Sequence, residues 1–185
     1  LEEEKCDYRS TELGKLITDF INNSLATFFM SENQLEVFKE SLDIEPDRVH
    51  VLSSLFDEQF FSTIDSLRNE EVERNDKWLV LGSRSWVKGS QQTEEWCREQ
   101  GLDYDVVSNL EYTDLLRKMH KSKGIVFHPA GYDTCPRFVI EAKLLGCELK
   151  LNENVQHSNE EWFNSAPEDI INYLHGRPTH FWQTV

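Results

Sequence analysis

"KWLVLGSRSWVKGSQQTEEWCREQGLDYDVVS", residues 77–108, decides how the chain is read. The apolar run from Trp78 to Leu81 is strand-length and ends in a loop, "RSWVKGS". A helical stretch, "QQTEEWCREQG", then leads to a second short strand, "LDYDVVS". Downstream the pattern repeats as helix "EYTDLLRKMHKS", strand "GIVFHP", a helix within "GYDTCPRFVIEAKLLGC" (residues 131–147), and a last strand, "CELKLN". Strands alternating with helices of ten to twelve residues imply βαβ crossovers, and hence a parallel sheet in a doubly wound α/β fold.

Working outward, residues 11–23 place Leu13, Leu16, Ile17, Phe20 and Ile21 at helical spacing. "LATFFMS" reads as a buried strand. Ser31 is a good N-cap for a helix that carries Leu35, Phe38 and Leu42 on one stripe. A second short strand runs from Val49 to Leu52, and "EQFFSTIDSLRNEE" resembles a helix. In the tail, "NEEWFN" and "PEDIINYLHG" read as helical, and "HFWQTV" as an aromatic anchor. A boundary is expected between residues 42 and 50, ahead of a self-contained sheet.

The composition narrows the function classes. With 34 acidic against 19 basic residues, the formal charge of -15 over 185 residues repels polyphosphate and argues against nucleic acid as a partner. A small anion at one local site remains compatible. No apolar run is long enough to span a bilayer, and no signal peptide opens the chain. Cys6, Cys97, Cys135 and Cys147 are scattered without a C-x-x-C pair, which fits reduced thiols and a cytoplasmic location. The opening "LEEEKCDYRS" lacks an initiator Met, as expected of a fragment or processed chain. Nothing in the sequence sets an oligomeric state.

Ligands of open parallel sheets bind beyond the carboxyl ends of the strands, so the loops there matter most. In "GSRSWVKG", Gly82 and Gly89 permit a tight path, and Arg84 and Lys88 are close enough to converge on a phosphate. A solvated loop with two surface cations is an equal reading. Trp86 suits a stacking platform or, more simply, a partly buried aromatic. In the second loop Gly131 supplies backbone freedom, Asp133 or Thr134 can cap, and Pro136 suits a first helical turn. Such a helix start favours an anion. Cys135 reads as an inert or ligand-lining thiol, and His128 as a strand-end histidine of the core or the cleft.

Glu141 stands out in a helix whose Phe138, Val139, Ile140, Ala142, Leu144 and Leu145 leave little polar face. A carboxylate there costs free energy unless partnered. Arg137, four residues earlier, is one candidate partner, and a pair of ligand hydroxyls is the other.

Together the two loops carry a resemblance. Asp133 and Glu141 are separated by seven residues, and this stretch resembles the E-x(7)-E motif of retaining glycosyltransferases of the GT-B fold, with Asp in the first place. "GSRSWVKG" is similar to that family's G-R-x(4)-K-G loop, with one residue fewer between Arg84 and Lys88. The motifs come in the family's order. "ATFFMSENQLEVFKESL" and "DRVHVLSSLFDEQFF" are similar to its domain junction.

The resemblance covers the chain from about residue 25 and implies a Rossmann-like, C-terminal donor domain at 47–185 with a helical tail. It makes residues 1–46 a remnant of the N-terminal, acceptor-side domain and linker. By the same resemblance Arg84, Lys88 and Asp133 are catalytic. Gly82, Arg84, Lys88, Gly131, Tyr132, Asp133, Thr134, Cys135 and Glu141 contact the donor, a nucleotide-diphosphate sugar. The acceptor would be a glycan or another molecule, and no metal or other cofactor is expected. The alternative is a non-catalytic or incomplete donor-binding module that needs a missing domain or a partner.

Overall fold

The computed structural model describes residues 8–185, and Cys6 lies outside them. The other three cysteines are free and buried. Strands and helices alternate as far as the last strand, and among the described residues all the strand pairs are parallel. The doubly wound α/β expectation therefore stands.

The first part of the chain forms a small layer. Helix α1 (Glu12–Asn23) starts at Thr11, whose side chain accepts from Gly14 N and so pairs one of the helix's open N–H groups. Strand β1 (Thr27–Phe29) is followed by α2 (Glu32–Ser41), capped by Ser31 as expected. Strand β2 (Val49–Val51) then pairs with β1, in register Thr27↔Val49 to Phe29↔Val51. The two strands that flank the 46/47 division therefore belong to one sheet. Ile21, Phe29, Leu35, Leu42 and Val49 share one buried cluster.

Two strands cannot cover a whole amphipathic helix. Of the apolar stripe expected on α1, Ile21 is buried, while Leu13, Leu16 and Phe20 are 57%, 66% and 72% exposed.

The second sheet has the order β4-β3-β5-β6, from β3 (Trp78–Leu81), β4 (Tyr104–Val107), β5 (Gly124–Phe127) and β6 (Glu148–Leu151). The two-residue period of a strand divides its core between two faces. Leu79, Ile125 and Phe127 face one side. There they pack with residues of α3 (Glu58–Arg68), α5 (Tyr112–Lys121), α6 (Arg137–Leu144) and α7 (Pro167–His175), including Ile64, Leu116, Val139 and Ile170. Trp78, Val80 and Val126 face the other, under Cys97 and Trp96 of α4 (Ser90–Glu99). Each fully buried side chain of this size contributes about 1.5–3 kcal/mol of transfer free energy.

One tail expectation changes and the other is met. "NEEWFN" is not a helix; Gln156–Asn159 forms one 3₁₀ turn and irregular turns follow it. "HFWQTV" lies largely in α8 (Arg177–Thr184), which returns to the first layer: Phe181 packs on Phe28 with ring centroids 5.1 Å apart. Trp182 is left 75% exposed. The layers also meet where Ser54 Oγ donates to the Cys135 carbonyl and Glu32 N donates to Glu160 Oε1. Among the described residues no helix is long and apolar enough to cross a membrane.

Candidate functional site

The strand order places the site. From β3 the chain moves to β4 on one side, then crosses back past β3 to β5 on the other. The order reverses between β3 and β5, so the loops that follow them diverge around a crevice at their carboxyl ends. Those are the loops singled out in the sequence, 82–89 and 128–136.

The first loop is tied to its own strand. Ser90 Oγ donates to the Leu81 carbonyl (2.6 Å) and accepts from Ser83 N (2.9 Å). A single 3₁₀ turn, Trp86–Lys88, brings the chain to Gly89, which has φ 58° and opens α4. Gly89 is required twice over: the left-handed conformation disfavours a side chain, and a Cβ there would collide with the His128 carbonyl oxygen. This close approach lets Ala130 N donate to the Val87 carbonyl at 2.9 Å, locking the two loops together.

The lock brings two of the expected residues into contact. Lys88 Nζ donates to Asp133 Oδ2 at 2.6 Å, with Asp133 mostly buried and Lys88 one-third exposed. Asp133 is held from behind, because its N–H donates to the Asn154 carbonyl and its carbonyl accepts from Gln156 N. It does not cap α6, and neither does Thr134. Pro136 itself occupies the N-cap, with no side-chain capping bond. Asp133 is tied to Val155 by an isolated bridge and the chain bends through residues 134–135 to Pro136, and neither side chain bonds the first helical amides.

The remaining expected residues are distributed around this contact. Arg84 is exposed and shares a recess of about 560 Å³ with Gly82, Ser83, Ser108 and Asn109. Among the described residues no acid pairs with it. Trp86 is 74% exposed rather than partly buried, and its ring edge lies over Gly131, where a Cβ would come within 3.1 Å. Tyr132 is exposed beside it. The Cys135 side chain turns into the core, where burial pushes its thiol up to about 11, an inert group at neutral pH. His128 packs edge-on against Trp96, and burial lowers its pKa.

Glu141 is 3% exposed. Its Oε1 accepts from Tyr112 Oη at 2.8 Å and lies 3.6 Å from Arg137 Nε. Desolvation raises its pKa, against the opposing pull of Tyr112 and Arg137. The bond to Tyr112 was not legible, since it spans 29 residues and joins two helices. Glu141 lines a cleft of about 480 Å³ with Asp57, Gln59, Phe60, Thr63, Tyr112, Thr113 and Arg137. The facing wall is the start of α3, while Gly82, Ser83 and Arg84 of the first loop line the separate Arg84 recess. No group of three or more His, Cys, Asp or Glu side chains among the described residues is arranged to hold a metal ion.

Chemically, the crevice offers Lys88 on one loop and the Asp133 carboxylate on the other, with Arg84 exposed in a recess of its own and Glu141 a buried acceptor in a further cleft. No protein-family model and no curated protein matches the sequence. Among solved structures the chain is similar to WaaG, described as a glycosyltransferase involved in lipopolysaccharide biosynthesis, with a TM-score of 0.45 and 14% identity. The match covers 82% of this chain and 53% of that one, so the chain spans about half the length of that structure.

Proposed function

We propose that the chain is the donor-binding half of a retaining, GT-B-type glycosyltransferase that takes a sugar from a nucleotide-diphosphate sugar. The observation that carries this reading is the Lys88–Asp133 contact at the strand-order reversal, where a cation loop and an acid loop close on one crevice. Arg84 and Lys88 neutralise the diphosphate as it leaves. Fixed charges aimed at a developing negative charge are often the largest single catalytic contribution.

Asp133, with Tyr132, Thr134 and the backbone of residues 131–135, holds the transferred sugar. Gly82 and Gly131 let the backbone approach it. Glu141 accepts from the nucleoside. In this reading the cations do the work that a metal would otherwise do, the acceptor is a glycan or other hydroxyl compound, and the protein acts in the cytoplasm. Residues 1–46 are the acceptor-side remnant and linker, and 47–185 the donor domain, although the pairing of β1 with β2 favours a boundary beyond Val51.

A second reading, a donor-binding module completed by another domain or chain, is favoured by the exposed Leu13, Leu16 and Phe20 of α1. Sugar transfer by these 185 residues alone would reject it. The donor reading itself is tested by a thermal-shift screen with nucleoside diphosphates and their sugars. A ligand at about 100 times its Kd stabilises the native state by about 2.7 kcal/mol. A raised melting temperature with at least one of them is expected, and no shift with any contradicts the reading.

A further inference from the structure

We propose that Tyr112 makes Glu141 an acceptor for one sugar hydroxyl of the nucleoside rather than for a vicinal pair. The inference rests on the donor reading above and sharpens what that site selects. A carboxylate binds a vicinal diol best with one hydroxyl on each oxygen. Here one lone pair of Oε1 accepts from Tyr112 Oη at 2.8 Å, and the Arg137 guanidinium, paired with the same oxygen at 3.6 Å from Nε, crowds the approach to the other.

The tyrosine proton is committed to that bond. Arg137 Nη2 donates to Tyr112 Oη at 3.4 Å, so the phenol accepts from the arginine and gives its own hydrogen to Glu141. The guanidinium is in turn held over Phe56, 4.6 Å from the ring centroid, and over Tyr112 at 5.7 Å. Burial and the adjacent carboxylate both raise the Tyr112 pKa, which keeps the phenol protonated and donating. Among the described residues no hydrogen bond reaches Glu141 Oε2. That oxygen, on a side chain lining the 480 Å³ cleft, is the one left for a ligand.

Tyr112 is thus a specificity-determining residue, and a single free acceptor oxygen discriminates between the two hydroxyls of a ribose. The test is calorimetric titration of uridine and guanosine diphosphates, and of their 2′-deoxy and 3′-deoxy analogues, into the wild-type chain and Tyr112→Phe. In the wild type, one deoxy analogue is expected to bind about tenfold or more weakly and the other within about twofold, the scale of one hydrogen bond to a charged group. In Tyr112→Phe, with Oε1 released, both analogues should lose about tenfold.

Equal losses for both analogues in the wild type would mean that Tyr112 yields to the ligand, and would overturn the proposal while leaving the donor reading intact. No loss for either would also overturn it, by removing Glu141 as an acceptor. Binding of neither diphosphate, together with no thermal shift from any other, would bring down the donor reading as well. The wild-type arm decides the matter even if the variant folds poorly.

Discussion

Lys88 Nζ lies 2.6 Å from Asp133 Oδ2, across the two loops that flank the crevice. A cation so paired presents little net charge to an incoming anion, so a diphosphate must share or replace Asp133. The same contact that assembles the site therefore weakens its hold on the leaving group.

Asp133→Asn separates these effects. Removing the carboxylate frees Lys88, and nucleoside diphosphate affinity should rise about threefold to tenfold, the scale of a partly exposed charge pair. Sugar transfer, measured with whichever donor binds, should fall, because Asp133 holds the sugar. A calorimetric titration showing weaker diphosphate binding would contradict the electrostatic part of this account.

Glu141→Gln keeps the shape of the side chain and removes its charge. Because desolvation raises the Glu141 pKa, the folded state binds this proton more tightly than the unfolded one. Its contribution to stability is fully present below the unfolded value of about 4.5 and is lost as pH rises through the folded value. At neutral pH the variant should therefore be at least as stable as the wild type in urea, while nucleotide binding falls about tenfold. Full stability with unchanged binding would assign Glu141 to a purely internal network with Tyr112 and Arg137.

His157 titrates with the opposite consequence. It is fully buried between Trp162 and Phe163, with the Thr134 backbone close to its ring. Burial lowers its pKa from 6.5 to about 4, against a weaker opposing pull from the Thr134 backbone. The unfolded chain takes up this proton first, so stability present above about pH 6.5 is lost as pH falls towards about 4, by about 3 kcal/mol. His157→Phe should flatten that limb in urea midpoints measured across the window. An unchanged acid limb would show that the loss arises elsewhere.

Gly89→Ala tests the lock between the loops. The residue has φ 58°, and its new Cβ would strike the His128 carbonyl. Left-handed strain of about 1 kcal/mol plus the displaced backbone should destabilise the chain by about 2–4 kcal/mol and weaken diphosphate binding. Thermal melting with and without ligand reads both effects.

What the sequence made legible followed from local rules. The cap at Ser31 and the strand–helix alternation after Lys77 depend on neighbouring residues, and the structure has them where expected. The pattern also singled out the two loops that strand order brings together. Contacts set by long-range packing were out of reach. Tyr112 reaches Glu141 from another helix, the start of α3 walls the Glu141 cleft, and β2 pairs backwards with β1. The expected Asp133 or Thr134 cap failed because Asp133 is tied to Val155 and the chain enters the helix through Pro136. Leu13, Leu16 and Phe20 have helical spacing, but periodicity does not tell whether a surface exists to cover them.

The central claim is that Lys88 and Arg84 hold the diphosphate of a nucleotide sugar. Calorimetric titration of the tightest-binding nucleoside diphosphate into the wild type, Lys88→Ala and Arg84→Ala measures it directly. The account predicts at least a tenfold weaker Kd for Lys88→Ala and a smaller loss for the more exposed Arg84→Ala, the scale of a charge-assisted phosphate contact. Unchanged affinity in a folded Lys88→Ala protein would contradict it.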